Sequence, residues 1–194
     1  MSLTMLFNFP SLLTPQVLVF IILSAVLMFI CRRQLTNPSC HGFYRFFAVE
    51  GILALALLNL AFDGRDFFGP LRLLSGLLMC GSLVVVVISL QQLRQGGEAL
   101  RDDCPENFTF ENTLQLVTHG IYQYIRHPMY TSLLLLAWGI FLQDPSWLAA
   151  VIALEVSLML ICTIKVEERE NQRFFGKDYV QYQQTNKMMI PFVL

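Results

Sequence analysis

Three stretches of this chain are too apolar to be comfortable in water as exposed helices, and they dictate the solvent in which it folds. Thr14 to Ile30 carries no charge, Phe43 to Phe62 is apolar around Glu50, and Leu73 to Leu90 is uncharged and rich in Leu and Val. Each approaches the ~20 residues needed to span about 30 Å of hydrocarbon. Met129 to Leu142 is shorter, and Gln143-Asp144-Pro145-Ser146 interrupts it before Trp147 to Ile164 resumes, which predicts a helical hairpin. At about 1.5 Å per residue the fourth run covers only ~21 Å, so it tilts, stops short of the far surface or begins before Pro128.

Composition agrees with a polytopic membrane protein. Hydrophobic residues make up 55% of the chain and charged residues 14%, where a soluble domain has about a quarter charged. With the N-terminus outside and five spans, eleven Lys and Arg residues fall on inner segments, among them Arg32, Arg33, Arg45, Arg94, Arg126 and Arg169. Only Arg65 and Arg72 fall outside. An even number of spans would remove that asymmetry, so the positive-inside rule favours five helices with a cytoplasmic C-terminus. The basic pair Arg32-Arg33 follows the first run instead of preceding it, which reads as a span and not a cleavable signal peptide.

Other global features exclude more than they propose. A net charge of -1 carries no nucleic-acid signature. The five cysteines (Cys31, Cys40, Cys80, Cys104, Cys162) form no C-x-x-C pair and are expected as free thiols. His41, His119 and His127 are too scattered for a zinc set, so no metal is expected. The chain reads as one domain over residues 1–194, with a three-helix scaffold over 1–90 and the candidate chemistry over 91–194.

Within that second part, Gln91-Gln92-Leu93-Arg94-Gln95 continues the third helix out of the membrane until Gly96-Gly97, and an acidic stretch with Asp102, Asp103 and Glu106 follows. Leu114 to Gly120 is a short apolar alternation that reads as an extended strip or a surface loop; at membrane depth its backbone groups need partners from protein, water or ligand. Then Gly120-Ile-Tyr122-Gln-Tyr-Ile-Arg126-His127-Pro128-Met-Tyr130 crowds polar chemistry against an apolar run. Proline disfavours helix before it and suits a first helical turn, so Pro128 should open the fourth helix. Its positive N-terminal end, with Arg126, favours a carboxylate or phosphate. Arg126 alone also reads as a snorkelling anchor and the tyrosines as an interfacial belt. Glu167-Glu168-Arg169-Glu170 leaves the next apolar run, and the hairpin returns it to the same face, although such a run is equally the solvated start of a tail. Glu155 within the fifth run should face the bundle interior. Phe174, Phe175, Tyr179 and Tyr182 recur at helical spacing, predicting an amphipathic tail helix.

These residues carry a resemblance. The run Leu116-Val117-Thr-x-Gly120-x-Tyr122-x-x-x-Arg126-His127-Pro128-x-Tyr130, then Glu167-Glu168, then Phe174-Phe175-Gly176-x-x-Tyr179-x-x-Tyr182, resembles the isoprenylcysteine carboxyl methyltransferases over residues 110 to 194. It points to a prokaryotic, archaeal member of that integral-membrane group. Two departures are Ser132, where many relatives have glycine, and polar Asn171, where they tend to be apolar.

The resemblance implies an all-α membrane fold and transfer of a methyl group from S-adenosylmethionine to the carboxylate of a lipidated, prenylcysteine-like substrate. By the same resemblance Leu116, Val117, Tyr122, His127, Pro128, Met129 and Tyr130 contact the cofactor and Glu167 binds its ammonium. Arg126 holds either the cofactor carboxylate or the acceptor carboxylate, and Glu168 contacts the cofactor or fixes Arg126; these two are the catalytic candidates. The bilayer is the expected partner, delivering the acceptor sideways. A phospholipid N-methyltransferase shares the cofactor site, a sterol-reductase-like NADPH oxidoreductase shares Arg-His-Pro, and a noncatalytic scaffold is the third alternative.

Overall fold

The computed structural model describes residues 15–59, 69–97 and 113–190. Helices dominate: α1 (Pro15–Ile30), α2 (His41–Leu58), α3 (Pro70–Leu93), α4 (Pro128–Phe141), α5 (Trp147–Phe175) and α6 (Lys177–Thr185), with 3₁₀ turns at Gln34–Thr36, Arg94–Gly96 and Gly120–Gln123. Among the described residues the only β pairing is an isolated parallel bridge between Ile125 and Lys187. By length and composition α2, α3 with its 3₁₀ continuation, and α5 are sufficient to cross a membrane, while α1 and α4 are shorter apolar helices. Large apolar side chains such as Ile22, Phe29, Leu77, Leu83 and Leu154 lie exposed along α1, α3 and α5, which in lipid is where they belong. This is an integral membrane protein.

Proline sets two helix starts, Pro70 at the head of α3 and Pro128 at the head of α4. The fourth helix therefore does not begin before Pro128. The hairpin expected from Gln143 to Ser146 is present, with the Ser146 hydroxyl accepting from the Ala149 N–H to cap α5. The fifth helix runs on to Phe175 without a break, so Glu167 and Glu168 are held on a rigid helix and not in a tail. Gly176, at φ 60°, ends it where most residues would be strained.

The bundle is two helix pairs laid together. α2 packs along α5 and α3 along α4, whereas α2 and α3 scarcely touch. In lipid such pairs form through close packing, not exclusion of water, and small residues permit it. A Cβ on Gly51 of α2 would lie 2.5 Å from Val156 Cγ2 and 2.7 Å from Glu155 Oε2. Glu155 thus turns towards α2, as its place in an apolar run requires. On the other pair, Gly139 of α4 sits against Met79, and the Ser75 and Ser82 hydroxyls of α3 donate to the Gly139 and Ser132 carbonyls at 2.6 and 2.7 Å. The core joining the pairs comprises Ala48 and Leu55 of α2, Ala137 and Ile140 of α4, and Ala153, Val156 and Leu160 of α5.

Cysteine pairing departs from the expectation of free thiols. Cys31, Cys80 and Cys162 are free. Cys40, fully buried at the entrance of α2, is disulfide-bonded, and its partner lies outside the described residues. The acidic stretch with Asp102, Asp103 and Glu106 also lies outside them.

Candidate active site

One wall of the site begins where α3 ends. Gly97 takes φ 70°, and the Gln115 N–H donates to the Gly96 carbonyl at 3.0 Å, so the strip after Thr113 is laid along the end of α3. Gly96 is needed there, since a Cβ would meet Val117 Cγ2 at 2.8 Å. The strip bends and forms no strand. Among the described residues the N–H groups of Leu116 and Val117 have no backbone partner. Gly120 follows at φ 63°, and the Gln92 side chain lies over it, accepting from the Ile121 N–H at 2.9 Å. Gln92 thereby pins the turn that carries Tyr122.

The Arg126-His127-Pro128 segment is clamped by the end of the chain. Arg126 N–H donates to the Lys187 carbonyl at 2.8 Å and His127 N–H to the Met188 carbonyl at 3.1 Å. The Arg126 guanidinium donates through Nε and Nη2 to Glu168 Oε1 at 2.8 and 2.6 Å, and through Nη1 to the Gln183 and Asn186 carbonyls. Arg126 and Glu168 are only 11% and 16% exposed, so this charge pair is largely withdrawn from water and depends on its full set of bonds. The Tyr182 hydroxyl donates to the Tyr122 carbonyl at 2.6 Å, fastening α6 to the loop. Burial pushes the Tyr122 and Tyr182 hydroxyls well above the ordinary tyrosine range, so both stay protonated donors.

Beside this clamp stands Glu167. Tyr130 lines the same cavity wall, and His127 Nδ1 lies 3.9 Å from Oε2. That is too far for a hydrogen bond, and Oε2 is buried without a partner. An unpaired buried carboxylate oxygen is costly unless a ligand completes it. The His127 ring, with Nε2 3.4 Å from Glu168 Oε1, separates the two carboxylates.

Two cavities meet at these residues. One, of about 200 Å³, reaches from Tyr122, Arg126, Glu167 and the His127-Pro128-Met129-Tyr130 segment to Val86, Leu93 and Leu133, with Arg45 of α2 on its wall. The other, of about 50 Å³, lies between the Leu116-Val117 strip, Asn171 and Phe175 of α5, and Tyr179 and Tyr182 of α6. Leu93, Tyr122, Arg126 and Glu167 line both. Nine of the ten residues singled out from the sequence line these two cavities, and the tenth, Glu168, contacts Arg126 and His127 beside them.

Comparison with known proteins fits this geometry. The sequence profile described as phospholipid methyltransferase matches residues 71–178, more than half of the chain. The chain belongs to the phospholipid methyltransferase family. The family match covers α3, α4, α5 and the head of α6, hence the strip, the Arg-His-Pro turn and both glutamates. Among curated relatives, protein-S-isoprenylcysteine O-methyltransferase B of Arabidopsis thaliana is 37% identical over 81 residues, 41% of this chain and 41% of that protein. Methanethiol S-methyltransferase of Pseudomonas deceptionensis is 27% identical over 118 residues, 60% of this chain and 41% of that protein. The probable protein-S-isoprenylcysteine O-methyltransferase of Oryza sativa subsp. japonica is 31% identical over 88 residues, 43% of this chain and 44% of that protein. The chain thus spans about two fifths of the length of these relatives. No solved structure matches it.

Some residues at the site escaped the sequence reading. Arg45 counted there only as an inner positive charge. His41 counted as a scattered histidine, yet it is buried with Glu170, whose carboxylate accepts the His41 N–H at 2.8 Å and lies 2.7 Å from Nδ1. Gln92 looked like part of a polar helix end. A charge within the first turn of an apolar run was the one available signal for Arg45; the other two depend on contacts remote in sequence. The departures are accommodated: Ser132 is buried against α3, and Asn171 lines the smaller cavity beside Tyr179.

Proposed function

We propose that this protein is a membrane methyltransferase that transfers a methyl group from S-adenosylmethionine to the carboxylate of a lipidated, prenylcysteine-like acceptor. The observation that carries the reading is Glu167 Oε2, buried and unpaired between His127 and Tyr130. It suits an ammonium, and the N–H groups of Leu116 and Val117, which have no backbone partner among the described residues, suit the acceptors of a nucleobase. These donors and acceptors fit the cofactor. At about 50 Å³ the smaller cavity has room for one or two waters, so binding requires the Tyr179-Tyr182 face of α6 to shift about Gly176.

When bound, the cofactor supplies a methyl group on a positively charged sulfur. The residues of this chain provide the setting. Carboxyl groups ionise near pH 4, so a carboxylate acceptor needs no general base and catalysis rests on alignment and exclusion of water. Glu167 holds the ammonium. Tyr122, Pro128, Met129 and Tyr130 form the partition across which donor and acceptor face one another, and His127 keeps Glu167 and Glu168 apart. Arg126 and Glu168 act as positioning residues, because their bonds hold the end of the chain over the site. The family match ends near α6, and α1 and α2 are contributed by the remainder of this chain, so we take residues 1–194 as one functional unit with the chemistry in 91–194.

The topology is five spans with the N-terminus outside and the site and C-terminus cytoplasmic, supported by the eleven-to-two partition of basic residues. The cofactor then reaches the site from water and the acceptor from the bilayer. The family description favours testing an aminolipid beside the carboxylate; an amine must lose a proton, and the site then needs a base. Calorimetric titration with S-adenosylmethionine, followed by transfer of a labelled methyl group to a prenylcysteine and to an aminolipid, decides the matter. Binding with labelling of the prenylcysteine supports the proposal; no binding in detergent or lipid removes it.

A further inference from the structure

We propose that the Tyr179 hydroxyl donates to a ring nitrogen of the cofactor's purine and so holds the base in the smaller cavity from the side of α6. The inference rests on the cofactor reading above, and it assigns to α6 a contact with the base.

Among the described residues three buried side-chain polar atoms have no hydrogen-bond partner, Glu50 Oε1, Glu167 Oε2 and Tyr179 Oη. Two of the three, on Glu167 and Tyr179, belong to residues that line the same small cavity. A buried polar atom without a partner is costly, and folded chains leave few of them. An unmatched carboxylate oxygen and an unmatched hydroxyl at one cavity call for a ligand that donates in one place and accepts in another. S-adenosylmethionine does both, through its ammonium and its base.

Tyr182 shows how a hydroxyl of this helix is used when the fold alone needs it. It lies one turn beyond Tyr179, and it donates to the Tyr122 carbonyl at 2.6 Å. Tyr179 is more deeply placed, only 2% exposed. Burial pushes its hydroxyl above the ordinary tyrosine range, so it keeps its proton. Asn171 stands beside it on the cavity wall and favours the hydroxyl oxygen electrostatically. The proton is what lacks an acceptor. The ring that carries it is gripped on two sides, by Phe175 stacked at 6.4 Å between centroids and by Tyr182 edge-on at 6.0 Å. Its direction is therefore set before a ligand arrives.

The opposite wall completes the argument. There the Leu116 and Val117 N–H groups have no backbone partner among the described residues. An adenine has acceptor nitrogens at N1, N3 and N7, spread around its rim. A base entering between the strip and α6 can accept from the strip on one side and from Tyr179 on the other.

The test uses the full chain and isothermal titration with methylthioadenosine, S-adenosylhomocysteine and three deaza analogues of methylthioadenosine, in each of which C–H replaces one of those nitrogens. Tyr179→Phe should raise Kd for methylthioadenosine and S-adenosylhomocysteine by the same factor, about three- to tenfold, and leave the unfolding temperature unchanged. The wild type should bind one deaza analogue weaker than the parent by a similar factor, and Tyr179→Phe should no longer tell that analogue from the parent. Three results each overturn the proposal: a Kd indifferent to Tyr179→Phe, a deaza preference that the variant retains, or a fall in unfolding temperature like that expected for Tyr182→Phe, which would give the hydroxyl a structural partner. Failure of the wild type to bind methylthioadenosine does so too. Purine binding that depends on Tyr179 in a protein that transfers no methyl group would keep this inference and remove the methyltransferase reading; methyl transfer with a cofactor Kd indifferent to Tyr179 would do the reverse.

Discussion

Replacing Glu167 with Gln should weaken ligand affinity far more than it changes stability. The side chain is 22% exposed, and its Oε2 is buried without a hydrogen-bond partner. In the ligand-free protein the carboxylate faces the His127 ring 3.9 Å away, so exchanging it for an amide should leave the protein folded with its unfolding temperature level or slightly lowered. With S-adenosylmethionine the loss is larger, because a hydrogen bond to a charged group contributes about 1.5–3 kcal/mol. At about 1.4 kcal/mol per tenfold, Kd should rise about 10- to 100-fold. Titration calorimetry on purified wild type and Glu167→Gln measures it, with methylthioadenosine as control, since that molecule has the adenosine but no ammonium and its affinity should be indifferent to the substitution. Equal losses for both ligands would mean that the mutation distorts the cavity; no loss for either would remove Glu167 from the site.

Arg126→Ala should lower stability by about 2 kcal/mol, because it leaves Glu168 poorly compensated in a mostly buried place, and should speed proteolysis after Phe175; Arg126→Lys should recover less than half, since one ammonium cannot span a carboxylate and two carbonyls. Gly120→Ala should cost about 1–2 kcal/mol from the left-handed backbone alone, plus the displacement of Gln92, so thermal unfolding of the double variant with Gln92→Ala should show less than the sum of the two single losses. Tyr182→Phe should lose about 1 kcal/mol with its bond to the Tyr122 carbonyl. Burial raises Tyr122, Tyr179 and Tyr182 above the unfolded tyrosine value, so their contribution is complete below about pH 10 and is lost as pH rises past it. Unfolding temperatures taken from pH 8 to 12 should fall on the alkaline side, and less steeply for Tyr182→Phe.

Local signals made the helices and the first side of the site legible. Pro128 marked the start of α4 because a ring without an N–H suits that position, and Gln143 to Ser146 marked the hairpin because those residues end one apolar run and cap the next. The Arg126-His127 and Glu167-Glu168 clusters could be brought together from the sequence because a short hairpin returns the chain to the same membrane face. The bracing of Arg126 by the Gln183 and Asn186 carbonyls was not legible, since backbone acceptors have no sequence signature. Nor was the role of His41, whose partner Glu170 is 129 residues away. The place of Arg45 on the cavity wall was hidden for a related reason. It depends on α2 standing beside α5, and periodicity within α2 says nothing of which neighbour it chooses.

Helix geometry explains how the short run Glu167-Glu168-Arg169-Glu170 supplies three different contacts. Residues three apart share a helix face, while the next residue is turned about 100° away. Glu167 and Glu170 therefore both look towards α2 and the cavity, and Glu168 looks towards Arg126. Glu170 grips the first residue of α2 through the backbone N–H and ring of His41. That contact fixes the start of α2, and Arg45 follows His41 by four residues, about one helical turn, on the same face. One turn of α5 thus sets Glu167 at one end of the cavity and, through Glu170 and His41, the register that brings Arg45 to its wall. A residue inserted between Glu167 and Glu170 would rotate one out of place while leaving the helix intact, so the spacing of these carboxylates is itself a requirement of the site.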